Sequence, residues 1–181
     1  DAKTLVQAEA INTLGKLTDP LLKPIFEKGL QSKSYSVLGK SLVSLYYVDK
    51  PAAIAKSKVL PDEVRKILAT PLTRIFIEEN DESELPFIAK TTLSGMYLTG
   101  DDSSKVLFQK AFKQISESNN SEAIQNLVDD MVDKGKQYKG FNFDKVVINL
   151  MRDMIKDQQK ANKSNRENNI EIIKTAMAKL L

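Results

Sequence analysis

The chain contains no histidine, no cysteine and no tryptophan. Without histidine there is no Ser-His-Asp triad, no imidazole general base and no H-E-x-x-H zinc site. Without cysteine there is no disulfide, no thiolate nucleophile and no Cys-type zinc site, so cysteine usage leaves the redox compartment open. A metal would have to be held by oxygen ligands alone. Glycine and proline are sparse, 7 and 6 in 181 residues, and so they work as punctuation. No apolar run approaches the roughly 20 residues that span a bilayer, and the first residues show no signal-peptide pattern. Charge of one sign is also missing: 27 basic residues stand against 24 acidic ones, a net +3 that argues for neither nucleic acid nor an anionic membrane.

What is present is helical. Leu5, Ala8, Ile11 and Leu14 or Leu17 keep the spacing of one helix face, and Asp19-Pro20 supplies an N-cap followed by proline at the first helical position. A second helix runs through Leu22, Ile25 and Phe26 and stops at Gly29. Ser34 caps a third carrying Val37, Leu38, Leu42 and Leu45, and Asp49 before Pro51 starts a fourth. Laying Pro20 on Pro51 (an offset of 31) also lays Ile11 on Leu42, Leu14 on Leu45 and Leu17 on Val48. "LTDPLLKPIFEKGLQSKSYSVLGKSLVSLYYVDKP" therefore reads as one αα-hairpin unit of a repeat.

The pattern continues with looser spacing. Pro61-Asp62-Glu63 opens a helix through Val64, Ile67 and Leu68 towards Ile75 and Ile77, which Pro71 should kink or divide at Thr70. Ser83 to Pro86 starts the next, with Ile88, Leu93 and Met96 inside and Gly100 as its stop. Asp101-Asp102 caps a helix carrying Val106, Phe108, Phe112 and Ile115. In "SEAIQNLVDDMVDKG", Ile124, Leu127, Val128, Met131 and Val132 sit at i, i+3, i+4, i+7 and i+8, and Lys134-Gly135-Lys136 ends it. Val146, Val147, Leu150, Met151, Met154 and Ile155 mark another helix, and Ile170, Ile173, Met177 and Leu180 the last. No period-two alternation and no Asn-Gly or Asp-Gly hairpin signal competes. The expectation is one all-α domain over 1–181, about ten helices in antiparallel pairs stacked as a HEAT-like α-solenoid.

Few residues carry chemistry. The run "EENDESE" (Glu78, Glu79, Asp81, Glu82, Glu84) lacks the central glycine of a calcium loop and reads as a solvated turn whose acids favour the next helix N-terminus. Asp129, Asp130 and Asp133 flank an apolar face and point to water. Arg152, Lys156, Lys160, Lys163 and Arg166 form a basic stripe if one helix runs on, but Asp153 and Asp157 interleave and no aromatic accompanies them, so no nucleic-acid partner is expected. Gly39-Lys40-Ser41 resembles the end of a phosphate loop, yet Ser34 stands where its first glycine belongs and no strand precedes it. Catalytic, cofactor-binding and metal residues are none. Tyr46, Tyr47, Tyr97 and Tyr138 are the candidates for a groove or interface, because tyrosine pairs an apolar body with a polar tip.

"LTRIFIEENDESELPFIAK", "SGMYLTGDD" and "SEAIQNLVDDMVDKGKQY", followed by a long polar terminal helix pair, resemble the C-terminal helical domain of bacterial aminopeptidase N-like zinc aminopeptidases, the gluzincin family. The resemblance implies a non-catalytic part of a metalloprotease, a hydrolase whose zinc and catalytic residues lie in another domain. That part covers the catalytic cleft and restricts peptide access. Its partners would be the catalytic domain of the same polypeptide and the parent's peptide substrates, with no membrane. The family's H-E-x-x-H and G-x-M-E-N motifs do not occur here, so no residue role carries over. The start at Asp1 rather than Met agrees with a piece of a longer enzyme, and the compartment stays open between cytoplasm and periplasm. The alternative expectation is a stand-alone α-solenoid scaffold that grips a partner. Against it, the first helix, with Leu5, Val6, Ala8, Ala10 and Ile11, is too apolar all round for a terminal cap.

Overall fold

The computed structural model describes residues 2–91, 96–97 and 102–181. The fold is all-α: the described residues form eleven α-helices and no strand. No helix among them is long and apolar enough to cross a membrane. The contacts cluster in two compact units, Asp1–Glu78 and Glu79–Leu181.

The first unit holds α1 (Ala2–Gly15), α2 (Lys23–Gly29), α3 (Tyr35–Val48), α4 (Lys50–Lys58), α5 (Asp62–Ile67) and α6 (Ala69–Glu78). Helix α3 is its axis, packing on α1, α2, α4 and α6. Val37, Leu42 and Leu45 on α3 are fully buried with Phe26, Ala53, Leu72 and Ile75. Two close approaches set how α1 and α2 lie on α3. A methyl group on Gly15 or Gly29 would collide with Ser44 or Ser41, so each crossing needs a bare Cα opposite a small serine. Gly29 does end α2, but the next residue, Leu30, stays in right-handed helical space. Close packing, rather than a left-handed cap, requires that glycine.

Caps follow the sequence reading with local differences. Asp19 accepts from the Leu21 N–H at 2.9 Å, but it caps a short 3-10 turn, Pro20–Leu22, that leads into α2. Asp49 accepts from the Ala52 N–H at 3.1 Å and starts α4, with Pro51 in its first turn. Ser34 occupies the N-cap of α3 without a side-chain cap bond. Its own N–H donates to the Ser32 hydroxyl instead. Division near Pro71 falls earlier than expected, at Leu68 between α5 and α6. Pro71 lies in the first turn of α6, where a missing N–H costs no helical hydrogen bond.

The second unit holds α7 (Leu85–Thr91), α8 (Asp102–Glu117), α9 (Ser121–Gln137), α10 (Phe143–Ala161) and α11 (Arg166–Ala178). Helix α9 is the axis here, packing on α7, α10 and α11, while α8 packs chiefly on α10. Leu85, Ile88, Ile115, Ile124, Leu127, Val128, Met151, Met154 and Ile173 form the core. Expected positions Leu93, Gly100 and Asp101 lie outside the described residues. The buried face of α8 is Leu107, Phe108, Ala111 and Ile115; Phe108 and Ile115 are as expected, whereas Val106 is exposed and Phe112 half-buried, with Leu107 and Ala111 inside in their place. Helix α9 does not stop at Gly135. It runs to Gln137, and Gly135 is buried within it because a Cβ would press on Leu180 at 3.1 Å. Asn142 and Asn162, both left-handed (φ 57° and 49°), bracket α10, a conformation that asparagine tolerates better than other side chains.

Candidate functional site

The four tyrosines separate. Tyr46 is a core residue of the first unit at 1% exposure, its ring facing the edge of Tyr47 at 5.9 Å and the Lys50 ammonium at 5.0 Å. Tyr47 is 42% exposed. In the second unit Tyr97 and Tyr138 meet on one ring, Phe143, with centroids 5.9 and 6.2 Å away, and Tyr97 also lies 4.9 Å from Phe108. The recess beside them, lined by Tyr97, Phe108, Met131, Phe143 and Val147, measures only about 20 Å3. That is space for about one water molecule, not for a ligand. Phe143 completes the cluster, and its position right after Asn142 hid it from a reading by helical periodicity.

The charged runs are absorbed by the scaffold. Asn80 takes a left-handed turn, and Asp81 accepts from the Ser83 N–H at 3.2 Å to cap the 3-10 turn Glu82–Glu84. Glu82 pairs with Lys163 at 3.3 Å. Asp129 is exposed, accepting from Gln125 at 2.9 Å and standing 3.7 Å from Lys179. The basic stripe does not run along one helix, since α10 ends at Ala161 and Asn162 turns the chain before Lys163 and Arg166. Lys156 is held by Asp153 at 2.8 Å, and Arg166 donates to Asn162 at 2.7 Å.

The donor set does not fit a zinc centre. There is no His or Cys in the chain, and among the described residues no group of three or more His, Cys, Asp or Glu could hold a metal ion.

Two polar clusters are structural. In the first unit the Lys23 ammonium donates to Asp49 at 2.6 Å, tying α2 to the α3–α4 corner. The hydrogen bond and charge of Asp49 raise the lysine above its ordinary value; the Lys23 bond and the Ala52 N–H hold the carboxyl below its own. In the second unit the buried Gln158 amide donates to the Ser116 and Ser118 carbonyls at 2.6 and 2.9 Å, and Asn169 donates to Gln158 at 3.0 Å. Lys113 bridges Glu117 and Asp157 at 2.8 and 2.9 Å, and both bonds raise its pKa, that to Glu117 more.

Two surface features of the first unit are not absorbed by packing. The first is a second apolar stripe on α1. Ala8, Ile11 and Gly15 are its buried face, whereas Val6, Ala10 and half-buried Leu14, at steps of 4 and 4, lie on another, and Leu17 follows in the turn after the helix. Val6 and Leu17 are 71% and 64% exposed. Ala10 and Leu14 share an open groove with Ile25 of α2. The second is a groove of about 410 Å3 where α3 meets α5 and α6. Gly39, Val43, Leu68 and Pro71 contribute apolar lining, and Lys40 and Arg74 are its two charged residues.

Comparison of the chain with protein-family models, with curated proteins and with solved structures returns no match. The class that fold and surface define is an all-α protein of two helical units with an unpartnered apolar stripe on its first helix.

Proposed function

We propose that the chain is a non-catalytic C-terminal helical domain, of HEAT-like stacked-pair architecture, belonging to an aminopeptidase N-like zinc metallopeptidase. In this reading it covers the catalytic cleft and restricts which peptides enter. The catalytic domain of the same polypeptide is its partner, and zinc belongs to that domain. The observation that carries the reading is the α1 stripe. A helix at the edge of a domain ordinarily turns a polar face to water, but Val6, Ala10 and Leu14 of α1, with exposed Leu17 in the turn that follows, leave an apolar one. A preceding domain packed there would bury it. The order of segments quoted above supports the reading further.

The test is the coding frame upstream of Asp1. The expected result is an H-E-x-x-H motif followed by a more distal glutamate. A frame that opens close to Asp1, with no such motif, overturns the reading and leaves a free-standing helical scaffold. Biochemically, the pure chain is expected to hydrolyse no aminoacyl substrate, and EDTA-sensitive hydrolysis by the chain alone would contradict the assignment.

A further inference from the structure

The groove between α3 and α6 has an unbalanced charge. Its lining includes Asn12, Tyr35, Gly39, Lys40, Val43 and Arg74, and it contains two cations and no acid. Arg74 is half-buried, between the buried Thr73 and Ile75, and makes no hydrogen bond or ion pair with a described residue. Lys40 stands 3.6 Å from Glu9, an ion pair without a hydrogen bond on an exposed rim. A guanidinium partly withdrawn from water and left without an anion has more to gain from a carboxylate than a fully solvated one, because its planar fork matches both carboxylate oxygens. The floor beneath it is apolar, formed by Val43, Leu68 and Pro71. Gly39 keeps that floor open, since a Cβ there would meet Leu68 at 3.1 Å and Pro71 at 3.6 Å. The volume is that of a small-molecule site rather than of a single ion.

We propose that this groove binds a small amphipathic monocarboxylate, with Arg74 receiving the carboxylate, Lys40 adding long-range attraction, and Val43, Leu68 and Pro71 receiving the apolar body. The commitment to a carboxylate over a phosphate follows from the donor count. One guanidinium, beside a rim ammonium already 3.6 Å from Glu9, neutralises a monoanion rather than a dianion, and the apolar lining of Val43, Leu68 and Pro71 suits an alkyl body that phosphate lacks. The proposal concerns this chain alone and does not depend on the parent enzyme.

The experiment is an NMR titration of the whole chain with octanoate, following the Gly39, Lys40 and Thr70 backbone amides and the Arg74 Nε–H. Acetate, inorganic phosphate and 1-octanol are titrated in parallel. Octanoate is expected to saturate with shifts centred on the groove; octanol, which loses the charge-assisted interaction with Arg74, and acetate and phosphate, which lose the burial of the apolar body, are each expected to bind roughly tenfold or more weakly. Arg74→Gln should weaken octanoate by roughly tenfold and Lys40→Gln by a smaller factor, with thermal unfolding unchanged. Absence of saturation overturns the proposal. So does equal binding of octanol, binding of phosphate as tight as octanoate, or shifts centred on the α1–α2 groove around Ile25. An unaltered octanoate affinity in folded Arg74→Gln overturns it as well. Should that variant not fold, Lys40→Gln and the shift map of the parent chain decide.

Discussion

Asp49 shows how much one side chain does in this fold. It ends α3, caps α4 through Ala52 and takes the ammonium of Lys23 from α2. Its carboxyl is held below the ordinary carboxylate value, chiefly by the Lys23 bond, so its contribution is present above the unfolded-state pKa and is lost as pH falls through the folded one. Lys23 is raised, chiefly by the same bond, so its share is full at neutral pH and disappears only above the usual lysine range. Asp49→Asn should therefore lower the melting temperature at neutral pH, and the gap to the parent should close on acidification below about pH 4. A gap constant across that range, measured by thermal unfolding followed by circular dichroism, would exclude this account. Gln158 makes a comparable case in the second unit. Gln158→Leu removes the side-chain donor to the Ser116 carbonyl, leaves the Ser118 carbonyl only its 3.4 Å bond from Asn169, and should cost about 1–3 kcal/mol in denaturant unfolding. The cap at Asp49 was legible, because Asp before Pro is a local signal. Its bond to Lys23, twenty-six positions away, was not.

Among elements, the close crossings govern. Gly15 lies against Ser44 and Gly29 against Ser41, and the Ser41 hydroxyl is buried without a hydrogen-bond partner among the described residues. Gly15→Ala should force α1 off α3 and destabilise by about 1–3 kcal/mol, the range for overpacking a tight contact. Gly140 has nothing within 4 Å of a would-be Cβ, and Gly140→Ala should change stability by less than about 0.5 kcal/mol. Equal responses of the two variants in urea unfolding would refute the crossing argument. Periodicity located the core faces of α3 and α9 well, and that of α10 in part, where Val147, Met151 and Met154 are buried as expected but Val146, Leu150 and Ile155 are half-buried and Ile148 was missed. On α8 it placed Phe108 and Ile115 correctly but took Val106 for its neighbour Leu107, which is equally apolar. It also took Gly135 and Gly29 as helix stops of the usual kind, because a glycine chosen for its missing side chain looks the same as one chosen for its backbone freedom.

For the whole molecule, the division at Glu78–Glu79 separates two cores, each built around one central helix, α3 or α9. The fragment Glu79–Leu181 should fold alone, with helical circular dichroism and a cooperative thermal transition, since a unit with its own core can fold independently. A gradual, non-cooperative transition of that fragment would show that its core needs the first unit. The proposed role as a domain of a peptidase belongs at this scale too, and it rests on the α1 stripe rather than on any pocket.

All-α class and most helix positions were written in local order: apolar spacing of 3.6 residues, Asp-Pro caps, and the absence of alternation. So was the lack of His and Cys donors, which leaves any metal to oxygen ligands alone. The groove around Arg74 was not written there. Asn12, Lys40 and Arg74 are scattered along the chain, and the shared open floor exists because α6 lies against α3 at Gly39, a contact between distant segments. The meeting of Tyr97 and Tyr138 on Phe143 has the same origin, since Tyr97 is distant along the chain from the other two, whereas the parting of Tyr46 and Tyr47 follows from the turn of one helix.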